Sequence, residues 1–172
     1  MEVAAVITEA YKLSLGEWRD AGNVVETVGL GSIQYAVEHL GVPLIVVLGH
    51  RRCGAVQAAI AVVKDNATFP GSIGQMIEPV IPAVLKAQGV AGDLQENIIR
   101  ENVRRKVTRL RASTEPILME PLHQGRLRIV GATMISTTAG STDSWRADKA
   151  AASAICQQRK ENHRVSPAVE AQ

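Results

Sequence analysis

The residues best equipped for chemistry stand together at Gly49-His50-Arg51-Arg52-Cys53-Gly54. A histidine and a cysteine with two residues between them can turn both donor atoms toward one metal ion, and a helix starting behind Cys53 favours the thiolate that zinc needs. The bare H-x-x-C spacing also suits a buried structural cysteine beside a capping histidine. Position bears on the choice, because the carboxyl ends of strands are where α/β sheets gather their functional groups.

The hexapeptide closes such a strand. Pro43 leads into Leu-Ile-Val-Val-Leu, a continuously apolar, β-branched run of the kind buried on both faces of a parallel sheet, and the run stops at Gly49-His50. Upstream, Leu30, Ile33, Val37 and Leu40 recur at helical spacing with Gly41 as a left-handed stop, which predicts a helix from Thr27 to Leu40. Downstream, Val56, Ala59, Ile60 and Val63 share one face of a helix beginning near Gly54. Helix, strand and helix in this order make one piece of a doubly wound α/β domain. Between Asn66 and Gly92, Pro70, Gly71, Gly74, Pro79 and Pro82 interrupt an apolar pattern at Ile73, Ile77, Ile81 and Val84, which predicts a loop and then a kinked helix. A long helix starts at Leu94 with a core stripe of Ile99, Val103, Val107 and Leu110. Arg100, Arg104, Arg105, Lys106, Arg109 and Arg111 project elsewhere as a solvated basic face. A short helix ends near Gly125, and the run from Leu127 to Ala132 reads as a second buried strand. The expected organisation is one domain over 1–140 and a tail over 141–172, helix-forming from Ala150 to Ile155 and polar beyond, hence partly helical or disordered.

The chain of 172 residues is 46% hydrophobic and 21% charged, which fits one globular domain and excludes disordered, collagen-like and disulfide-scaffold classes. A net charge of +2 and 3% aromatic residues leave no basic stripe interleaved with stacking rings, so nucleic acid is not an expected partner. No apolar run approaches the roughly 20 residues that span a bilayer, and no membrane role is expected. Two distant cysteines, Cys53 and Cys156, behind an N-terminus without a basic region and apolar core imply a reduced, cytoplasmic protein.

The stretch AGNVVETVGLGSIQYAVEHLGVPLIVVLGHRRCGAVQAA resembles the β-class carbonic anhydrases, which carry R-N-A-G-N, then L-G-S-x-x-Y-A-V-x-x-L-G, then a buried strand running into G-H-x-x-C-G-A. ENVRRKVTRLRASTEPIL and QGRLRIVGA resemble that family's long C-terminal helix and last core strand, so the resemblance covers roughly residues 19 to 133. It implies an α/β fold on a sheet with a core of parallel strands flanked by helices, whose clear strands here are Leu44–Leu48 and Leu127–Gly131. It implies a lyase that interconverts carbon dioxide and bicarbonate on zinc, with His50 and Cys53 matching two of the three protein ligands. Arg19, Gly22, Asn23 and Gly54 match supporting positions. It also implies homodimers or higher oligomers, with the cleft at the protomer interface.

The departures from the family pattern fall on the reaction. Registering Val6-Ile7-Thr8-Glu9 on the family's V-P-P-E puts Met1 at the other cysteine ligand, Val3 at the aspartate near the metal and Ala5 at the arginine that holds it, so the catalytic residues are left unassigned. Asp20 replaces the family's Asn, the stretch before it lacks the usual apolar strand residues, and Met134-Ile135 stand where Tyr-Asp is common. The chain starts without the N-terminal strand and helices of the family. Cys156, His39, Asp20 and Glu17 can be recruited as a third ligand, though nothing in their spacing requires it, while His123 and His163 read as surface residues. The expectation is a family member with an incomplete site and weakly held zinc; the alternative is a catalytically silent relative acting as a structural or regulatory subunit.

Overall fold

The computed structural model describes residues 2–6, 16–135 and 144–147, with side chains over 21–133. Its centre is a five-stranded sheet in the order β2-β1-β3-β4-β5, comprising β1 (Glu2–Val6), β2 (Gly16–Asp20), β3 (Leu44–His50), β4 (Arg128–Ile135) and β5 (Ser144–Ala147). The two apolar strands recognised from sequence lie side by side and parallel, Leu44 level with Arg128 and His50 level with Met134. Leu44 to Leu48 are all buried, as expected of a strand covered on both faces.

Helices flank this pair, and the fold class is that expected. Helix α1 (Thr27–His39) buries Ile33, Ala36 and Val37, and Gly41 follows with φ 64°, the left-handed stop. Leu40 departs from its predicted stripe: it is the C-cap residue and is 59% exposed. Helix α2 (Gly54–Asp65) packs through Val56 and Ala59, with Ile60 and Val63 partly buried. The interrupted segment resolves into α3 (Gly71–Ile77), a 3-10 turn (Glu78–Val80) carrying Pro79, and α4 (Ile81–Ala87), with Ile77 and Val84 inside and Ile73 outside. Helix α5 (Leu94–Arg111) lies against β3 and β4 and joins two apolar clusters, Val103, Val107 and Leu110 in one and Ile98 and Ile99 in the other. Helix α6 (Pro116–His123) completes the set, with Leu118 buried.

Close packing of α5 onto the sheet depends on two glycines. A Cβ on Gly49 would lie 2.8 Å from methyls of both Ile99 and Val103, and one on Gly131 would lie 2.7 Å from Val103. A side chain at either position would lift the helix.

Four further features differ from the sequence expectations. Although the family's N-terminal strand was expected to be missing, β3 carries β1 on one edge, antiparallel, with Val3 level with Leu48 and Ala5 with Val46, and β2 pairs antiparallel outside it. A strand buried on both faces needs partners for its backbone groups on both edges, and residues 2–6 supply them. The sheet is therefore mixed, parallel only at its centre. Ser144–Ala147, placed by sequence in the tail, pairs antiparallel with β4. Lys106, expected on the basic face, is 5% exposed, because with Ile98 and Asn102 it forms a second buried stripe at i, i+4 and i+8. Arg111 also turns inward: its Nε and one terminal nitrogen donate to the Ile129 carbonyl at 2.9 and 2.5 Å, on the stretch of β4 that β5 does not reach. Arg100 and Arg104 do lie on the surface, paired with Glu96 and Glu101 at 2.8 and 2.6 Å. Cys156, His163 and the helix expected over Ala150 to Ile155 lie outside the described residues.

Candidate metal centre

The strand β3 ends on His50, Arg51 and Arg52 form a turn, and Cys53 is the N-cap of α2, so one strand-to-helix crossing carries both donors. The reversal is sharp enough to hold Arg52 at φ 54°, a region non-glycine residues seldom occupy and which clusters at functional sites. Gly54 opens α2, as the motif implied, and Cys53 accepts the first helical hydrogen bond from Gln57 through its carbonyl at 3.0 Å.

The His50 ring is fixed in a usable state. Its Nδ1 lies 2.7 Å from the Arg51 carbonyl, and since a carbonyl only accepts, Nδ1 bears the proton and Nε2 the lone pair. That Nε2 is buried and has no hydrogen-bond partner among the described residues. Burial lowers the His50 pKa from its ordinary 6.5, only partly opposed by the Arg51 carbonyl, so the ring is neutral at pH 7. Cys53 is fully buried at the N-cap of α2, and a helix N-terminus favours a negative atom. A neutral imidazole with a buried, idle Nε2 and a cysteine at a helix N-terminus are the donor types zinc takes.

A third donor is not part of this cluster: among the described residues no group of three His, Cys, Asp or Glu side chains is placed to hold a metal. Two of the candidates named from sequence, His39 and Glu17, are removed by topology. His39 ends α1 at the opposite end of β3 from His50, about 20 Å along a seven-residue strand, and its ring packs on Tyr35 at 4.6 Å between centroids. His123 is exposed at the end of α6, which also leads to the far end of the sheet. Glu17 is level with Ala5 and Val46, about 13 Å back from His50 along the strand. Asp20 is level with Glu2 and stands at the His50 end.

Directly after Asp20, a single turn of 3-10 helix (Ala21–Asn23) packs into this end of the sheet. Asn23, 1% exposed and at φ 50°, donates through Nδ2 to the Leu48 carbonyl at 3.1 Å, two residues before His50. Gly22 is at φ 74°, with a hypothetical Cβ 2.9 Å from Val80 and 3.7 Å from Ala55 in the first turn of α2. Its carbonyl accepts from Nδ2 of Asn102, a fully buried α5 residue, at 3.0 Å. Arg19, Val3 and Ala5 lie on β2 and β1 with Arg19 level with Val3. Asn102 was missed from sequence; a polar residue four positions after Ile98, on a helix face that proves buried, is the signal that marks it.

A family model described as carbonic anhydrase matches residues 4–141. The chain belongs to the β-carbonic anhydrase family. Carbonic anhydrase 2 of Mycobacterium tuberculosis is 41% identical over 115 residues, covering 67% of this chain and 55% of that protein. The carbonic anhydrase of Mycolicibacterium smegmatis is 36% identical over the same shares. The chain thus spans about half the length of the curated relatives it matches. A tetrameric β-carbonic anhydrase of Sordaria macrospora superposes with a TM-score of 0.55 at 23% identity, covering 68% of this chain and 61% of that one, a likeness of fold. No helix among the described residues is long and apolar enough to cross a membrane.

Proposed function

We propose that the crossing from β3 to α2 serves the family's reaction, the reversible hydration of carbon dioxide to bicarbonate, with zinc held in part by His50 and Cys53. The observation that carries this reading is the buried Nε2 of His50 with no hydrogen-bond partner among the described residues, its tautomer fixed by the Arg51 carbonyl. A buried nitrogen lone pair left idle costs about 1–3 kcal/mol, and metal ligation is what recovers it here. Cys53, at the N-cap of α2, supplies the sulfur, and a helix N-terminus favours negative charge there. Zinc so held supplies Lewis acidity, which makes water a nucleophile near neutral pH. The turn Ala21–Asn23 holds the end of β3, and burial keeps His50 neutral and ready to ligate.

On this reading His50 and Cys53 are two of the three donors that a catalytic zinc takes from protein, and among the described residues no group of three such side chains is assembled. The register leaves Asp20 at the correct end of the sheet for the third, with Cys156 the other candidate. The incomplete set, with Val3 and Ala5 at the family's aspartate and arginine positions, favours a second reading, a catalytically silent subunit that keeps the fold. Either reading is served by a homodimer or larger assembly, for which the exposed Val28 and Tyr35, two turns apart on α1, offer an apolar face. A site that needs Cys53 reduced suits the cytoplasm.

Metal analysis and stopped-flow hydration of the 172-residue chain, with His50→Ala and Cys53→Ser, separate the readings. One zinc per chain and turnover abolished in both variants supports the enzyme. Substoichiometric zinc and an uncatalysed rate support the silent subunit. Zinc retained at full stoichiometry in both variants would sink the assignment of the site.

A further inference from the structure

We propose that Asn102 is a positioning residue for the His50–Cys53 pair, acting through the turn Ala21–Asn23; the proposal rests on reading that pair as metal donors. The structure ties both ends of the donor-bearing crossing to this one turn. Asn23 donates to the Leu48 carbonyl at the end of β3, and Gly22 faces the first turn of α2 closely enough that an added Cβ would touch Ala55 at 3.7 Å. The turn cannot hold itself in place: Gly22 and Asn23 both have positive φ, at 74° and 50°, and the segment is one turn long. What fixes it from outside is Asn102, whose Nδ2 donates to the Gly22 carbonyl at 3.0 Å across 80 residues of sequence. Asn102 stands on α5 between Ile99 and Val103, the residues whose methyls press on Gly49 directly before His50. One helix therefore supports the crossing twice, by apolar contact beneath Gly49 and by a hydrogen bond to the turn that clasps both ends.

A donor pair must be held to within about 0.5 Å to share one ion, and outer residues that orient metal ligands are commonly worth about 10 to 100-fold in affinity. Loss of the Asn102 amide frees the Gly22 carbonyl and with it the turn. The effect is carried to the site by geometry, since Asn102 is not itself placed as a ligand.

The test uses the full chain and cobalt(II), whose thiolate charge-transfer and ligand-field bands report Cys53 ligation and site geometry. Asn102→Leu removes the donor; Asn102→Asp keeps the shape but, ionised, only accepts, and serves if the leucine variant does not fold. Leu110→Ala, buried on α5 outside the turn, is the control for general destabilisation. The expected result is cobalt affinity lowered about 10 to 100-fold with shifted ligand-field bands in the Asn102 variants, and neither change in Leu110→Ala. Hydrogen exchange without metal gives a second reading: amides from Arg51 to Ala55 should exchange faster in the Asn102 variants than in Leu110→Ala. Wild-type cobalt spectra, affinity and exchange in both Asn102 variants would overturn the proposal, as would equal losses in Leu110→Ala. A wild-type chain whose cobalt spectrum lacks the thiolate band would instead refute the metal reading, and the exchange comparison would still decide whether Asn102 holds the crossing.

Discussion

Replacing Gly131 or Gly49 with alanine tests whether α5 sits on the sheet as closely as the structure places it. At Gly131 the new Cβ would lie 2.7 Å from Val103 Cγ1 and 3.3 Å from Val107 Cγ2. Carbon atoms rest at about 3.5–4.0 Å, so the overlap with Val103 is about 0.8 Å or more. Val103 is 4% exposed and β-branched, with little freedom to move its methyl aside. Overpacking of this kind costs about 1–3 kcal/mol, offset by about 0.4–1 kcal/mol from the lower entropy of an unfolded alanine. Val103→Ala alone should cost about 2 kcal/mol by transfer and cavity terms. In the double variant the methyl introduced by Gly131→Ala enters the space that Val103 vacates, so the combined loss should fall about 1–2 kcal/mol short of the sum of the two single losses. At Gly49 the same partner substitution should recover less, because Ile99 Cγ2 still lies 2.8 Å from the new atom. Equilibrium urea unfolding reads all of these as shifts in midpoint at constant slope. Losses that add to within about 0.5 kcal/mol at Gly131, or equal recovery at both glycines, would refute the packing argument.

Three further outcomes follow from single contacts. Asp93 caps α5 by accepting from the Glu96 amide at 2.7 Å, so Asp93→Ala should lower stability by about 1 kcal/mol while Asp93→Asn keeps most of it, read by urea midpoint. Arg111→Met leaves the Ile129 carbonyl without its two guanidinium donors and should cost about 1.5–3 kcal/mol, and Arg111→Lys, lacking the paired N–H geometry, should restore little. The folded-state pKa of His50 lies below the unfolded 6.5, so the unfolded chain takes up its proton first on acidification. Stability from this group is complete above pH 6.5 and is lost as pH falls through the folded value; metal-free wild type should weaken over that range more steeply than His50→Asn, and parallel pH curves would contradict the burial.

Elements whose signals are local were legible from sequence. Strand β3 announced itself by five consecutive apolar residues behind Pro43, and α1 by its stripe and Gly41, because both signals complete themselves within one element. Antiparallel β1 was not legible: EVAAV has no strict alternation, and its pairing depends on the open edge of β3, which only the assembled sheet defines. The inward turn of Arg111 is of the same kind. Its charge placed it on the surface by composition, while the unpaired stretch of β4 that attracts it lies 18 residues away in sequence.

The site divides along the same line. His50 and Cys53, the proposed donors, could be singled out because a strand end, a turn and a helix start put them on one short segment, and a pair of that kind is a local object. Its support is not local. Asn102 meets Gly22 across 80 residues, and Asn23 meets Leu48 across 25. What sequence did offer was a misfit: Ile98, Asn102 and Lys106 follow one another at helical spacing, and two of the three are polar, so the face reads as solvated. Burial of all three shows it to be an inner face instead. A fully buried amide is kept only where it is hydrogen-bonded, since an apolar residue of the same volume would otherwise be more stable there. The Asn102 bond to a turn beside the donor pair is therefore better understood as a constraint on that turn than as a contribution to core packing, and this distinction is what the cobalt spectra can decide.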